Sequence, residues 1–301
     1  MARAITLRRL AARLAVILPF ATLLYAPSQT LAAPILGSDL ASFAVLGETG
    51  VTNSPPTGSP ASTIGGNLGS ITPTITGTYV YSFGSEQLNT GIAQNAQLQL
   101  TTAIGAVNAF GPGTTVTGGD LDLFQTNNGG SIGPGTYTVP ALSPNLVGTL
   151  VLDGGGSDSA VWYFLATSTL ITSTTSNVSV TNVGDGSDVG LYWTVGTAAT
   201  LNGPTFAGNV MAQTLISSDG NLSMACGRLL SATSQVTLIG DSISIGCGPG
   251  TVTGQGGEDV GSSGGFDQGN PAAQVPEPST LLLLASGLIG VAARMRRAKA
   301  R

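Results

Sequence analysis

The hydrophobic positions fall into short runs. Gly148-Thr149-Leu150-Val151-Leu152-Asp153-Gly154 and Ala160-Val161-Trp162-Tyr163-Phe164-Leu165 are typical: a few branched, aromatic or leucine residues beside Gly, Asn or Asp. Such runs between turn formers predict strands. One segment departs from this. Between Ser85 and Phe110 there is no Pro and little β-branching, and Leu88, Ile92, Ala96, Leu100, Ala103, Ile104 and Val107 recur at helical spacing. The period predicts one amphipathic helix over about residues 85–110, capped by Ser85 and stopped by Gly111-Pro112. Gln87, Asn89, Gln94, Asn95, Gln97 and Gln99 give it a polar, uncharged second face. A single helix of this kind in a β domain must lie along a sheet to bury its stripe.

After the helix the pattern echoes itself. Ala166-Thr167-Ser168-Thr169-Leu170-Ile171-Thr172 resembles Gly196-Thr197-Ala198-Ala199-Thr200-Leu201-Asn202, and further echoes begin at Ala212 and Ala232, at intervals of 30, 16 and 20 residues. The intervals are irregular but suit the coils of a β-solenoid, with Leu, Ile and Val inward and Thr and Ser outward. A β-sandwich accounts for the strands, but not for the lone helix or the recurring threonines. The expected fold is therefore mostly β.

Both ends carry address tags by pattern. Arg3, Arg8, Arg9 and Arg13, an apolar run from Leu14 to Ala26, and the small pair Ala32-Ala33 read as a secretory signal peptide over residues 1–33. Residues 34–253 form the body, and 254–274 a Gly/Ser-rich linker. Residues 275–301 combine Val275-Pro276-Glu277-Pro278, an apolar run from Leu281 to Ala293, and the basic cluster Arg294, Arg296, Arg297, Lys299 and Arg301. This order resembles the PEP-CTERM sorting signal of Gram-negative bacteria. The resemblance implies processing by an exosortase-type peptidase and delivery to the envelope, the cell surface or an exopolysaccharide matrix.

The tags also distort the charge. The chain's formal net charge of −5 includes ten basic residues, yet between Pro34 and Gln274 Arg228 stands alone against fourteen carboxylates. Nothing in such a body neutralises phosphates, so nucleic acid is excluded as a partner. There is no histidine, which removes Ser-His-Asp and Cys-His catalysis. Asp120 and Asp122, Asp185 and Asp188, and Glu258 and Asp259 are carboxylate pairs, but the first two pairs sit beside glycines, where Asp serves turns. The reading is that of a protein without catalytic residues, metal or cofactor. Cys226 and Cys247 are the two cysteines, and in an exported chain the pair reads as a disulfide.

A resemblance covers most of the body. Leu36-Gly37-Ser38-Asp39-Leu40-Ala41-Ser42-Phe43-Ala44-Val45-Leu46-Gly47, Thr52-Asn53, Ile64-Gly65-Gly66-Asn67-Leu68-Gly69, the central helix, Gly133-Pro134-Gly135-Thr136-Tyr137, Ala160-Val161-Trp162-Tyr163-Phe164, Tyr192-Trp193-Thr194-Val195-Gly196 and Cys226-Gly227-Arg228-Leu229-Leu230 resemble, in order, the DUF3494 ice-binding family. The resemblance implies a discontinuous right-handed β-solenoid of triangular section with the helix packed alongside. It also implies an ice crystal surface as partner, met by a flat Thr/Ser face. Thr197-Ala198-Ala199-Thr200 fits the family's T-A/G-x-T/N pattern, while Gln213, Leu215 and Gln235 interrupt the row. The candidate ice-contacting residues are Thr167, Thr169, Thr197, Thr200, Thr214, Ser217 and Thr233. The alternative is a structural or adhesive matrix protein with the same fold and no ice activity.

Overall fold

The structure, a computed structural model, describes residues 35–54, 60–184 and 189–246, together with the backbone of Val252–Thr253. The two sorting tags, the linker, Cys247, and the pairs Asp185/Asp188 and Glu258/Asp259 lie outside the described residues.

The fold is a β-solenoid in which, among the described residues, every ladder between named strands is parallel, and successive short strands visit three faces in turn. The first coils are β1 (Phe43–Gly47), β2 (Gly50–Asn53), β3 (Ser62–Gly65), β4 (Asn67–Ser70), β5 (Ile75–Thr76), β6 (Tyr79–Phe83) and β7 (Glu86–Leu88). The chain then crosses by helix to β8 (Thr114–Thr115), β9 (Gly135–Val139) and β10 (Thr149–Asp153). The coils resume with β11 (Val161–Ala166), β12 (Leu170–Ile171), β13 (Asn177–Thr181), β14 (Gly190–Val195) and β15 (Ala199–Leu201). The last are β16 (Gly208–Ala212), β17 (Ile216–Ser218), β18 (Ser223–Met224), β19 (Gly227–Ser231), β20 (Gln235–Leu238), β21 (Ser242–Ser244) and β22 (Val252–Thr253).

The widest face orders its strands β7-β4-β1-β19-β16-β14-β11-β9-β8. The early coils run outward from the middle of the stack to one end. The helix carries the chain to the other end, and the later coils return until β19 pairs with β1, Val45 opposite Leu229. The stack is thus continuous in space and discontinuous in sequence. The second face is a six-stranded sheet, β12-β15-β17-β20-β2-β5. The third is shared by β10-β13-β22 and β18-β21-β3-β6.

Burial follows from what covers each face. Strands β1, β14, β16 and β19 are buried at every position. Their inward residues, among them Val45, Trp193, Val210 and Leu229, line the solenoid core. Their outward residues, Leu46, Tyr192, Met211 and Leu230, pack under the helices. The core is stiffened by an aromatic stack along the coils, with Phe164 and Trp193 at 4.1 Å and Tyr137 and Phe164 at 5.3 Å between centroids. The buried indoles keep their partners, since Trp162 and Trp193 donate to Ile132 O and Ala207 O, each at 3.0 Å, as buried indole N–H groups must.

Among the described residues there are three α-helices: α1 (Ser38–Ala41), α2 (Gly91–Asn108) and α3 (Leu121–Asn127). The long helix is shorter than its pattern predicts. Residues 86–88 form β7 on the sheet edge, so Thr90, not Ser85, caps α2 by accepting from Ala93 N at 3.2 Å. Leu88 therefore belongs to a strand, and Ile92 is exposed, while Ala96, Leu100, Ala103, Ile104 and Val107 are buried as expected. Two glutamines placed on the solvent side turn out to be anchors: Gln97 Nε2 donates to Ser231 O and Ala232 O, and Gln99 Oε1 accepts from Leu40 N at 2.8 Å. Arg228 is fully buried on the helix-covered side, where its guanidinium donates to Ala41 O at the end of α1 and to Asn209 Oδ1, a favourable place for a cation at a helix C-terminus.

Candidate functional site

The six-stranded face is the one whose outer side α2 leaves uncovered and whose register never slips. Leu170, Ala199, Ile216, Val236, Val51 and Ile75 lie opposite one another across its strands. The first five are fully buried. Because side chains alternate along a strand, the next residue in each strand points outward. That row is Ile171, Thr200, Ser217, Thr237, Thr52 and Thr76, again in continuous register. Five of the six carry a hydroxyl, spaced by the roughly 4.8 Å between neighbouring strands. Neighbours touch: Ser217 Oγ donates to Thr200 Oγ1 at 3.4 Å, and Thr52 Oγ1 to Thr237 Oγ1 at 3.3 Å. The third face differs, since its β3–β6 ladder shifts register between Ile64 and Gly65.

A second outward row precedes the first by two positions. It runs through Thr169, Ala198, Leu215, Gln235, Gly50 and Thr74, with Gln235 opposite Gly50. It is mixed in size and polarity, and neither row contains a charged residue.

The sequence-based candidates divide accordingly. Thr200 and Ser217 stand on the hydroxyl row and Thr169 on the mixed row. Thr167, Thr197, Thr214 and Thr233 are exposed, but lie in the bends that enter the sheet. There Thr214 N donates to Thr197 O at 3.0 Å, and Thr233 Oγ1 donates to Gln213 O. Aligning the echoes on their leading Ala-Thr or Gly-Thr selects these bend residues. Aligning them on the inward aliphatic residue would have selected Thr237. Thr52 and Thr76 belong to coils before the helix, and only the β20–β2 pairing, Thr237 opposite Thr52, brings them into the row.

Buried polar residues at the next corner hold this face in place. Asp241 is 1% exposed and accepts from Leu222 N and Ile239 N, each at 2.9 Å, and from the Ser218 hydroxyl. Ser62 Oγ accepts from Asp241 N at 3.0 Å and donates to Asn53 Oδ1 at 2.9 Å, while Asn53 Nδ2 reaches Thr78 O at 2.7 Å. One network thereby ties coils from both ends of the sequence beneath the hydroxyl row. Asn145 does similar duty farther along, accepting from Ile171 N at 3.0 Å and donating to Gly119 O and Pro140 O.

The carboxylates are occupied elsewhere. Asp120 and Asp122 serve a helix: Asp120 caps α3 by accepting from Leu123 N, and Asp122 inside that helix accepts from Val147 N and Gly148 N. Asp153 is held below the usual carboxylate range by bonds from Gly155 N and Asn182. Glu48 is pushed up by partial burial. Cys226 is fully buried, and no described cysteine is free.

The Ice-binding-like family model matches residues 45–244, and the PEP-CTERM protein-sorting motif matches 274–297. An ice-binding protein of Nostoc sp. (strain HG1) is 30% identical over 260 residues, covering 85% of this chain and 84% of that protein. The crystal structure of an ice-binding protein from the Antarctic ascomycete Antarctomyces psychrotrophicus superposes with a TM-score of 0.55 at 27% identity, over 68% of this chain and 95% of that one. One from an Antarctic Flavobacteriaceae bacterium gives 0.56 at 26% identity, over 70% of this chain and 47% of that one.

Proposed function

The chain belongs to the Ice-binding-like family, and we propose that it adsorbs to ice through the outward rows of the six-stranded sheet. The observation that carries this reading is the unbroken register of Thr200, Ser217, Thr237 and Thr52 over a rigid, buried aliphatic ladder. Threonine is stiff at χ1, so each methyl and hydroxyl keeps its position. Such a surface can hold water in a repeating pattern and carry that pattern onto a growing crystal. A charged side chain would orient water around itself, and the rows contain none. The chemistry is adsorption without turnover, which accords with Asp120, Asp122, Asp153 and Asp241 being held by backbone N–H groups.

The test is to grow ice in the presence of the purified protein and measure thermal hysteresis, crystal shape and recrystallisation. Faceted crystals and hysteresis that vanish in Thr200→Tyr are expected. Unshaped growth with ordinary recrystallisation would overturn the reading. It would leave the alternative of a matrix protein that binds exopolysaccharide, for which loss of biofilm cohesion on deletion is the measure.

The PEP-CTERM motif at residues 274–297 supports display on the envelope or cell surface. Pro276, Glu277 and Pro278 would be read by an exosortase-type peptidase, with residues 254–274 as spacer and 1–33 as the removed leader. Substituting the Pro-Glu-Pro triplet should leave unprocessed chain in the inner membrane. We further propose that Cys226 and Cys247 are joined. Mass spectrometry of the unreduced protein should find their peptides linked, and free thiols at both would refute it.

A further inference from the structure

On the helix-covered side, α2 and the bends that follow β1, β4 and β19 enclose an open groove of about 440 Å³. Its apolar walls are Ile71 and Ala232, both partly buried against the core beneath α2, and Leu98, which is 70% exposed. Its polar lining comes from Glu48, Gln94, Gln97 and Thr101. Glu48 is the one ionisable side chain among them.

The donors in that lining are spent inside the protein. Gln97 is only 7% exposed, and its Nε2 donates to Ser231 O at 3.0 Å and to Ala232 O at 2.8 Å. Two carbonyls fix the amide's orientation, since only an NH2 group can face both. The Oε1 end is left buried without a hydrogen-bond partner. Gln94 Nε2 donates to Asn89 O and Oδ1, and Thr101 Oγ1 donates to Gln97 O at 3.3 Å. Glu48 has no ion pair among the described residues, whose one basic side chain, Arg228, is buried and bonded to Ala41 O and Asn209 Oδ1. What remains for a visitor is acceptors alone: a carboxylate, the Gln94 amide oxygen and the Thr101 lone pairs, over the uncompensated carbonyl dipole of Gln97.

An acceptor-only groove with an unpaired carboxylate repels anions and gives a neutral polyol nothing to match its charge. A partly desolvated carboxylate gains from a cation more than one in open water does, and burial has already pushed Glu48 upward. A bare divalent metal would need several oxygen ligands closing around it, whereas here one side of the groove is hydrocarbon. We propose that the groove binds a primary ammonium on an aliphatic chain. The ammonium sits at Glu48 and shares its N–H donors with the Gln94 and Thr101 oxygens, while the stem lies between Ile71, Leu98 and Ala232. A free amine and a lysine side chain carry the same group.

The test is to label the full chain at its glutamate carboxyls, titrate it with n-butylammonium chloride and follow the carboxyls and the α2 backbone amides by NMR. Among Glu48, Glu86, Glu258 and Glu277, only Glu48 should respond, saturably, with a dissociation constant on the order of millimolar. Tetramethylammonium, which keeps the charge but has no N–H, and n-butanol, which keeps the stem but has no charge, should each bind at least about tenfold more weakly at equal ionic strength. Glu48→Gln should weaken butylammonium binding by about tenfold. Leu98→Lys, which brings the protein's own ammonium to the groove, should abolish it. Ala106→Lys adds the same charge at an exposed position farther along α2 and should leave binding unchanged, with circular dichroism showing one fold throughout. No saturable shift, an equal response to tetramethylammonium, or equal loss in Ala106→Lys would each overturn the proposal. Nα-acetyl-lysine amide separates the two sources: binding at least as tight as butylammonium assigns a lysine side chain, and weaker binding a free amine.

Discussion

Thr237 and Thr233 are four residues apart on one coil, yet they meet different surroundings. Thr237 follows the buried Val236 and points outward from β20, opposite Ser217 and Thr52. Thr233 sits in the preceding bend, its hydroxyl turned to Gln213 O. Replacing Thr237 by Tyr puts a ring into the flat row, whereas the same change at Thr233 alters only the rim. Thr237→Tyr is expected to remove most thermal hysteresis and Thr233→Tyr to retain it, each changing stability by less than about 0.5 kcal/mol. Equal loss from both would mean that the bend residues contact ice as well. The sequence candidates span both settings, Thr200 and Ser217 on the row and Thr233 in a bend, because strand alternation is set by the inward residue while the echoes align on their leading letters.

At the scale of elements, the helix and strand pattern was largely legible because each apolar run has one period. The buried stripe from Ala96 to Val107 obeyed that period. The first turn did not form as helix, because residues 86–88 gain more by extending the sheet beside β4, Leu68 opposite Glu86, and a strand ladder satisfies backbone groups as well as a helix does. What single-sequence patterning leaves out is the polar network at the corner of the six-stranded face, where Gly240 N donates to Asn53 Oδ1 across 187 residues of chain. Asp241→Ala should expose its weight. The change strands two backbone donors and a serine hydroxyl in a buried corner, at about 1–3 kcal/mol for each group left unsatisfied. Urea unfolding should show a loss on the order of 3 kcal/mol. Ice activity per folded molecule should persist at low temperature, since the hydroxyl row itself is untouched.

For the whole molecule, electrostatics and adsorption separate. The body between Pro34 and Gln274 holds fourteen carboxylates and one arginine, and Arg228 is buried beneath the helices. The two outward rows contain no ionisable side chain at all. Stability and activity should therefore answer to pH differently. Asp153, depressed by its hydrogen bonds, contributes stability that is present above its unfolded carboxylate pKa and is lost as pH falls through its lower folded value. Glu48, raised by burial, acts in the opposite sense, favouring the fold when protonated and opposing it once ionised. Between about pH 5 and 9, where ordinary carboxylates stay ionised and free tyrosines neutral, thermal hysteresis at fixed protein concentration should be flat. The melting temperature should fall as Glu48 ionises and shift as ionic strength screens the acidic body. A sigmoid in hysteresis within that window would require a titrating group at the ice contact. The only face that could supply one is outside the hydroxyl row, so the contact would have to be moved there.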